Sequence, residues 1–229
     1  MIFIYKGAFK VEETNKTFQK GDLIFGGQRN NSGKFELLEN TGVFGLSLQP
    51  YIGSLLFSVT GESILNEVFR LKNKTPFSTL KSKLENCKNN VERVSEMSAI
   101  LSYISNLTQG VELPFYKLID KMSYMTPLDL EDVVCKSNLS LRQFQRKFKR
   151  LTGYSPTEYL RIARILPILS ERKADSLTQV AFKSGFYDQS HFINSFKRLT
   201  DGIKPSQYFD QSENLRWIVM GENVDQFQK

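Results

Sequence analysis

The chain has 229 residues, of which 40% are hydrophobic and 24% charged, the composition of a soluble globular protein with room for one large or two small domains. Its formal net charge is +7, with a single histidine and two cysteines, too few for a multi-histidine metal enzyme or a disulfide framework. No apolar run approaches the ~20 residues of a membrane span, and the opening Met-Ile-Phe-Ile-Tyr-Lys lacks a signal peptide's layout, so a cytoplasmic protein with no membrane partner is expected.

Residues 1–75 read as β-structure. Short apolar runs at Ile2–Tyr5, Leu23–Phe25, Phe35–Leu38, Val43–Leu48 and Leu55–Val59 are separated by Gly- and Asn-rich turns. Nine of the 14 glycines precede residue 62, as an antiparallel sheet or small barrel with tight turns requires. Tyr51 and Phe57 are candidates to line a ligand pocket, but core packing accounts for them better.

From Ser78 the period becomes helical. Leu80, Leu84, Cys87, Val91 and Val94 recur at spacings of three and four, and Met97, Ile100, Leu101, Ile104 and Leu107 follow in a second stretch. This stripe serves equally as a dimer seam or as a face packed on the β-region. Residues 76–110 therefore form a helical connector, with a boundary at Thr108-Gln-Gly110. Cys87 and Cys135 fall on apolar faces with no histidine base near in sequence, where cysteine is expected to be a small buried hydrophobe.

Residues 111–210 are helical and say one thing twice. Phe144, Phe148, Lys149, Arg150, Leu151 and Thr152 recur 48 positions later as Phe192, Phe196, Lys197, Arg198, Leu199 and Thr200. Gly153, Pro156 and Tyr159 return at an offset of 49 as Gly202, Pro205 and Tyr208. No acidic residue stands between Asp132 and Glu158, while Lys136, Arg142, Arg146, Lys147, Lys149 and Arg150 all fall there. A duplicated basic helical unit fits a repeating anionic partner, duplex DNA.

Each copy reads as two helices joined by a tight turn. In the first, Asp129 or the preceding Thr-Pro starts a helix with Leu130, Val133 and Val134 inside. Asn138 takes a left-handed turn, and Ser140 caps a second helix that turns Leu141, Phe144, Phe148 and Leu151 inward. In the second copy Leu177, Val180 and Ala181 are inside, Gly185 takes the turn, and Asp188 or Ser190 caps a helix burying Phe192 and Phe196. A linker helix over 157–171 joins the units. Arginine can grip guanine bidentately, and Asn or Gln can do the same for adenine. The tail, 211–229, holds a short apolar patch at Trp217-Ile-Val-Met220.

Leu139-Ser-Leu-Arg-Gln-Phe-Gln-Arg-Lys-Phe-Lys, Gly185-Phe-Tyr-Asp-Gln-Ser-His-Phe-Ile-Asn-Ser-Phe-Lys-Arg and Lys204-Pro-Ser-Gln-Tyr208 resemble the DNA-binding domain of the AraC/XylS family of bacterial transcription regulators. The resemblance covers roughly the last 45% of the chain. It implies two helix-turn-helix units on one linker helix, presenting recognition helices to successive major grooves about 34 Å apart. Carried over by position, base contacts fall on Arg142, Gln145, Arg146, Ser190, His191 and Asn194. Phosphate contacts fall on Ser140, Gln143, Lys149, Arg150, Gln189, Lys197 and Arg198. The sequence departs from the family pattern at Val134 and Asn138, where Ala and Gly are usual. It departs again at Asn194, where a longer basic residue is common, and at Pro167, where proline costs a helix about 3 kcal/mol.

Residues 1–108 resemble, through Leu23-Ile-Phe-Gly-Gly-Gln28, Gly45-Leu-Ser-Leu-Gln-Pro50 and Glu92-Arg-Val94, the cupin-like half-barrel that precedes this domain in one subgroup of such regulators. The resulting expectation is an α+β chain: a β-rich sensor region, connecting helices, and an all-α double helix-turn-helix domain. Its implied partners are double-stranded DNA, a small-molecule effector, a second copy and RNA polymerase. No cofactor or metal is expected, because the single histidine, His191, lies in the DNA-binding half. The rival reading is a ligand-binding or protein-interaction module whose DNA-binding half is degenerate, which Pro167 and the modest net charge favour.

Overall fold

The computed structural model describes residues 1–38, 40–72, 76–110, 112–124, 130–170, 185–186 and 188–210. Seven short strands come first: β1 (Ile2–Lys6), β2 (Ala8–Val11), β3 (Lys16–Gln19), β4 (Leu23–Gly26), β5 (Phe35–Leu37), β6 (Gly42–Gly45) and β7 (Val68–Arg70). They form two antiparallel sheets, a four-stranded one ordered β6-β1-β4-β7 and a three-stranded one ordered β3-β2-β5.

Strand alternation decides what each sheet covers. Ile4, Ile24 and Val68 of the larger sheet meet Phe9, Val11 and Phe18 of the smaller one in a closed apolar layer. Phe3, Leu23 and Phe25 point the other way, into a core shared with the helices. The larger sheet is thus buried on both faces, which is why Ile2-Phe-Ile4 and Leu23-Ile-Phe25 are continuous apolar runs.

One expectation fails in this region, and three strands go beyond what was expected. The run Leu55–Val59 is not a strand but the end of α1 (Ile52–Phe57), closed by Ser58 in the left-handed conformation at φ 55°, with Val59 41% exposed. A short apolar run without turn signals inside it does not distinguish strand from helix. Strands β2, β3 and β7 were not anticipated, because their outward positions (Lys10, Thr17, Arg70) leave only one to three apolar residues each as a signal.

After a 3-10 turn at Gly61–Ile64 come α2 (Phe77–Asn86) and α3 (Asn90–Leu107). The expected stripe through Val91 and Val94 does not exist. Asn89 caps α3 by accepting from the Glu92 amide at 2.9 Å, and the Glu92 carboxylate accepts from the Lys88 amide at 2.7 Å. This restart changes the helical phase, so Val91 and Val94 are 79% and 53% exposed while Arg93 turns inward. Met97, Ile100 and Ile104 pack into the core, joining Leu80 and Leu84 of α2. Leu101, expected on the same stripe, is exposed.

The remaining helices are α4 (Leu113–Tyr124), α5 (Leu130–Lys136), α6 (Leu141–Thr152), α7 (Pro156–Ser170), α8 (Gln189–Leu199) and α9 (Pro205–Asp210). One apolar core runs without a break from Met1 and Phe3 through Phe115, Ile119, Phe144 and Phe148 to Ile162. A separate core gathers Ile165, Ile168, Phe186, Phe192, Phe196 and Tyr208. The buried residues therefore pass from one core to the other within α7, between Ile162 and Ile165, with Leu166 packed against both.

Candidate nucleic-acid interface

Helices α5 and α6 form the first helix-turn-helix. Between them Asn138 adopts φ 55°, the left-handed state that Asn tolerates better than most residues. The Ser137 hydroxyl donates to the Val134 carbonyl at 2.6 Å and accepts from the Leu139 amide at 3.2 Å. Ser140 then caps α6 reciprocally: its hydroxyl accepts from the Gln143 amide at 3.3 Å, and Gln143 Oε1 accepts from the Ser140 amide at 3.0 Å. Ser140 and Gln143, two expected phosphate contacts, are thus engaged with each other.

Phe144 and Phe148 are fully buried in a chain of tilted and edge-on ring contacts from Phe115 to Tyr159. That packing fixes the rotation of α6 and leaves Arg142, Gln145, Arg146 and Lys149 exposed on one face at helical spacing. Lys147 leaves this set: it pairs with Glu112, and its Nζ lies 4.5 Å from the Phe115 ring centre. Leu141, expected inside, is 51% exposed, since the first residue of α6 precedes the turn that packs. Cys135 is exposed and Cys87 partly so, against expectation. The short α5 buries only Val133 of its own residues.

The second unit repeats the arrangement where it is described. Gly185 turns at φ 71°, and Asp188 caps α8 by accepting from the His191 amide at 2.7 Å. Phe192 and Phe196 are fully buried, and Gln189, Ser190, His191, Asn194 and Arg198 are exposed. The His191 ring stands edge-on to Phe186 at 5.4 Å. Lys197 is partly buried. The expected first helix of this unit, with Leu177, Val180 and Ala181, falls outside the described residues, as do Asp129 and the apolar patch of the tail. Pro167 does not end α7, whose bounds run on to Ser170.

The two units close alike at their threonines. Thr152 and Thr200 are buried, and each donates its hydroxyl to the carbonyl four residues back, Phe148 at 2.9 Å and Phe196 at 2.8 Å. Gly153 and Gly202 follow at φ 84° and 91°.

Sequence reasoning missed one feature. The β-region seats itself on the end of α6: Ser54 donates its hydroxyl to the Leu151 carbonyl at 2.9 Å, and the Tyr154 hydroxyl donates to the Arg29 carbonyl at 2.6 Å. Nearby, Tyr51 stacks on Tyr116 at 4.7 Å and donates to Asp120 at 3.2 Å. Burial outweighs that hydrogen bond and holds the Asp120 carboxyl above the usual aspartate range. Glu62 of the 3-10 turn pairs with Lys149 at 2.7 Å and raises its ammonium above the ordinary lysine value. Only the glycines hinted at this seam, and they read equally well as turns.

Among the described residues no cluster of three or more His, Cys, Asp or Glu could hold a metal ion, and no helix is long and apolar enough to cross a membrane.

Two similar units, each offering a capped helix with a polar exposed face, define a double helix-turn-helix protein. Residues 135–211 match the family described as a helix-turn-helix domain, and this part of the chain is a domain of the AraC type. It is similar to the HTH-type transcriptional activator RhaS of Klebsiella pneumoniae (strain 342), with 37% identity over 73 residues, 31% of this chain and 26% of that protein. It is also similar to the HTH-type transcriptional regulator MtrA of Neisseria gonorrhoeae, with 32% identity over 94 residues, 40% of this chain and 30% of the relative. The chain thus matches about a quarter to a third of the length of these curated relatives. Among solved structures, ToxT from Vibrio cholerae O395 aligns over 96% of this chain and 88% of its own, at 16% identity and a TM-score of 0.46.

Proposed function

We propose that the chain is a sequence-specific double-stranded DNA-binding transcription regulator whose helices α6 and α8 read successive major grooves. The observation that carries this reading is the duplication: two units with the same buried Phe-Phe-Thr frame each present a capped second helix with an exposed polar face. Arg142, Gln145 and Arg146 in the first unit and Ser190, His191 and Asn194 in the second are the base-reading residues. Lys149, Arg150, Gln189, Lys197 and Arg198, with the α6 N-terminus at Ser140 and Gln143, face phosphates. The relatives' names as transcriptional activators and regulators support the reading. The β-region receives the regulatory signal, a small-molecule effector or a second copy, and RNA polymerase is the downstream partner. The protein acts in the cytoplasm and has no enzymatic role.

Selection from a randomised duplex pool tests this directly. Recovery of two short motifs about one helical turn apart is expected, with affinity falling ~10³-fold between 50 and 200 mM salt if six or so phosphates are held. On the selected site Arg146→Ala should cost about 1–3 kcal/mol and relax preference at one base pair. An equal loss on every sequence would make Arg146 a phosphate contact instead, and no enrichment at all would sink the reading.

A further inference from the structure

The acidic side chain that meets the recognition helix is held in place by the fold. Ile64, at the other end of the 3-10 turn, is buried in the main core, and the turn's backbone lies directly on the backbone at the end of α6. A Cβ on Gly61 would come within 2.3 Å of the Gly153 nitrogen and 2.5 Å of the Thr152 carbonyl carbon. A Cβ on Gly153 would lie 2.8 Å from the Gly61 oxygen. Backbone can approach backbone this closely only where both residues lack a side chain. Ser54–Leu151 and Tyr154–Arg29 fasten the same seam on either side.

The seam therefore delivers Glu62 to a defined place. Lys149 stands one turn beyond Gln145 and Arg146 on the exposed face of α6, and the carboxylate pairs with its ammonium at 2.7 Å. Both side chains are about half exposed, so the pair is weak in itself and open to exchange. A DNA phosphate offers Lys149 the same charge and the same acceptor oxygens. The free carboxylate left beside that phosphate would repel it.

We propose that Glu62 is an intramolecular competitor for the DNA backbone, occupying the Lys149 ammonium until a phosphate displaces it. The inference rests on the DNA-binding reading above and adds to it a partner exchange at one named residue. In this arrangement any signal that shifts the 3-10 turn on α6 alters the cation available to DNA without touching the base-reading side chains.

The test uses the full-length chain and a duplex recovered by the selection, with affinity measured against salt for wild type, Glu62→Gln, Lys149→Gln and the double variant. Glu62→Gln keeps the size of an exposed side chain and leaves the glycine seam intact. It should bind several-fold tighter near 150 mM salt, with a log–log salt slope close to that of wild type, because the same phosphate is held in both complexes. In the Lys149→Gln background the same change should lose most of its gain, and Lys149→Gln alone should flatten the slope by about 0.9, the increment of one phosphate contact. Wild type and Glu62→Gln binding with equal affinity would overturn the competition alone. A gain of equal size with and without Lys149 would assign Glu62 a general repulsion and overturn it too. Failure of wild type and every variant to bind any duplex at low salt would overturn the DNA-binding reading, and the inference with it.

Discussion

The two helix-turn-helix units share a sequence pattern and differ in what they are built into. In the first, Phe144 and Phe148 belong to the core that also holds Phe3 and Phe25 of the sheet. In the second, Phe192 and Phe196 close a small core with Ile165, Ile168, Phe186 and Tyr208. Gly153 is pressed against Gly61, whereas among the described residues nothing lies within 4 Å of a Cβ built on its counterpart Gly202. Lys149 is paired with Glu62 of the β-region, while its counterpart Lys197 is partly buried. The first unit is thus built into the core of the β-region, while the second packs on α7 and touches the β-region through the Ser32 hydroxyl, which donates to Asp201 at 2.5 Å. A repeated local frame does not dictate a unit's neighbours, because the Phe-Phe-Thr pattern specifies only the inside of each unit.

The largest expected effect would break this contrast if it failed. Phe148→Ala and Phe196→Ala should each remove about 3–5 kcal/mol from the core that holds them. Phe148→Ala should lower the protection of the β-strands in hydrogen exchange, and Phe196→Ala should leave those strands protected while α8 exchanges faster. Equal loss of strand protection in both variants would mean that the two cores unfold as one.

A smaller difference should separate the glycines. Both Gly153→Ala and Gly202→Ala carry the left-handed strain of about 1 kcal/mol. Gly153→Ala adds the collision with Gly61, about 1–3 kcal/mol on the scale of overpacked cores. Thermal melts should therefore rank Gly153→Ala well below Gly202→Ala, and equal melting temperatures would deny the backbone seam.

The smallest effect concerns pH. Asp120 has its carboxyl raised in the folded chain by burial, so the folded state holds the proton more tightly than the unfolded one. Stability contributed at this site is greatest below the ordinary aspartate value and is lost as pH rises through the folded value. Asp120→Asn keeps an acceptor for Tyr51 and removes the buried charge. It should stabilise the β-region and first unit modestly at pH 7 and not at pH 3. A stabilisation of equal size at both pH values would remove the carboxyl's ionisation as its cause.

Much of the site was legible in the residues. Ser140, Asn138, Gly185 and Asp188 announce caps and turns through chemistry confined to a few neighbouring residues, and the Phe spacing sets which face of α6 and α8 is left for a partner. The β-region was legible only in part. Its longer apolar runs marked β1 and β4, but a five-residue run at Leu55–Val59 carries no period long enough to exclude a strand. The restart of α3 at Asn89 likewise depends on a cap that outweighed a continuous apolar spacing. The seam at Gly61 and Gly153 was invisible, since a glycine chosen for close approach looks the same as one chosen for a turn.

By itself the sequence determined the duplicated helix-turn-helix units, their caps and their exposed polar faces, because hydrogen bonds and packing within one helix pair are local. Only the tertiary structure decided where the cores divide, which unit the β-region grips and that Glu62 meets Lys149. Those outcomes depend on groups 87 to 97 residues apart in the chain, as Glu62–Lys149 and Ser54–Leu151 are, and no local pattern encodes the meeting of surfaces that far separated.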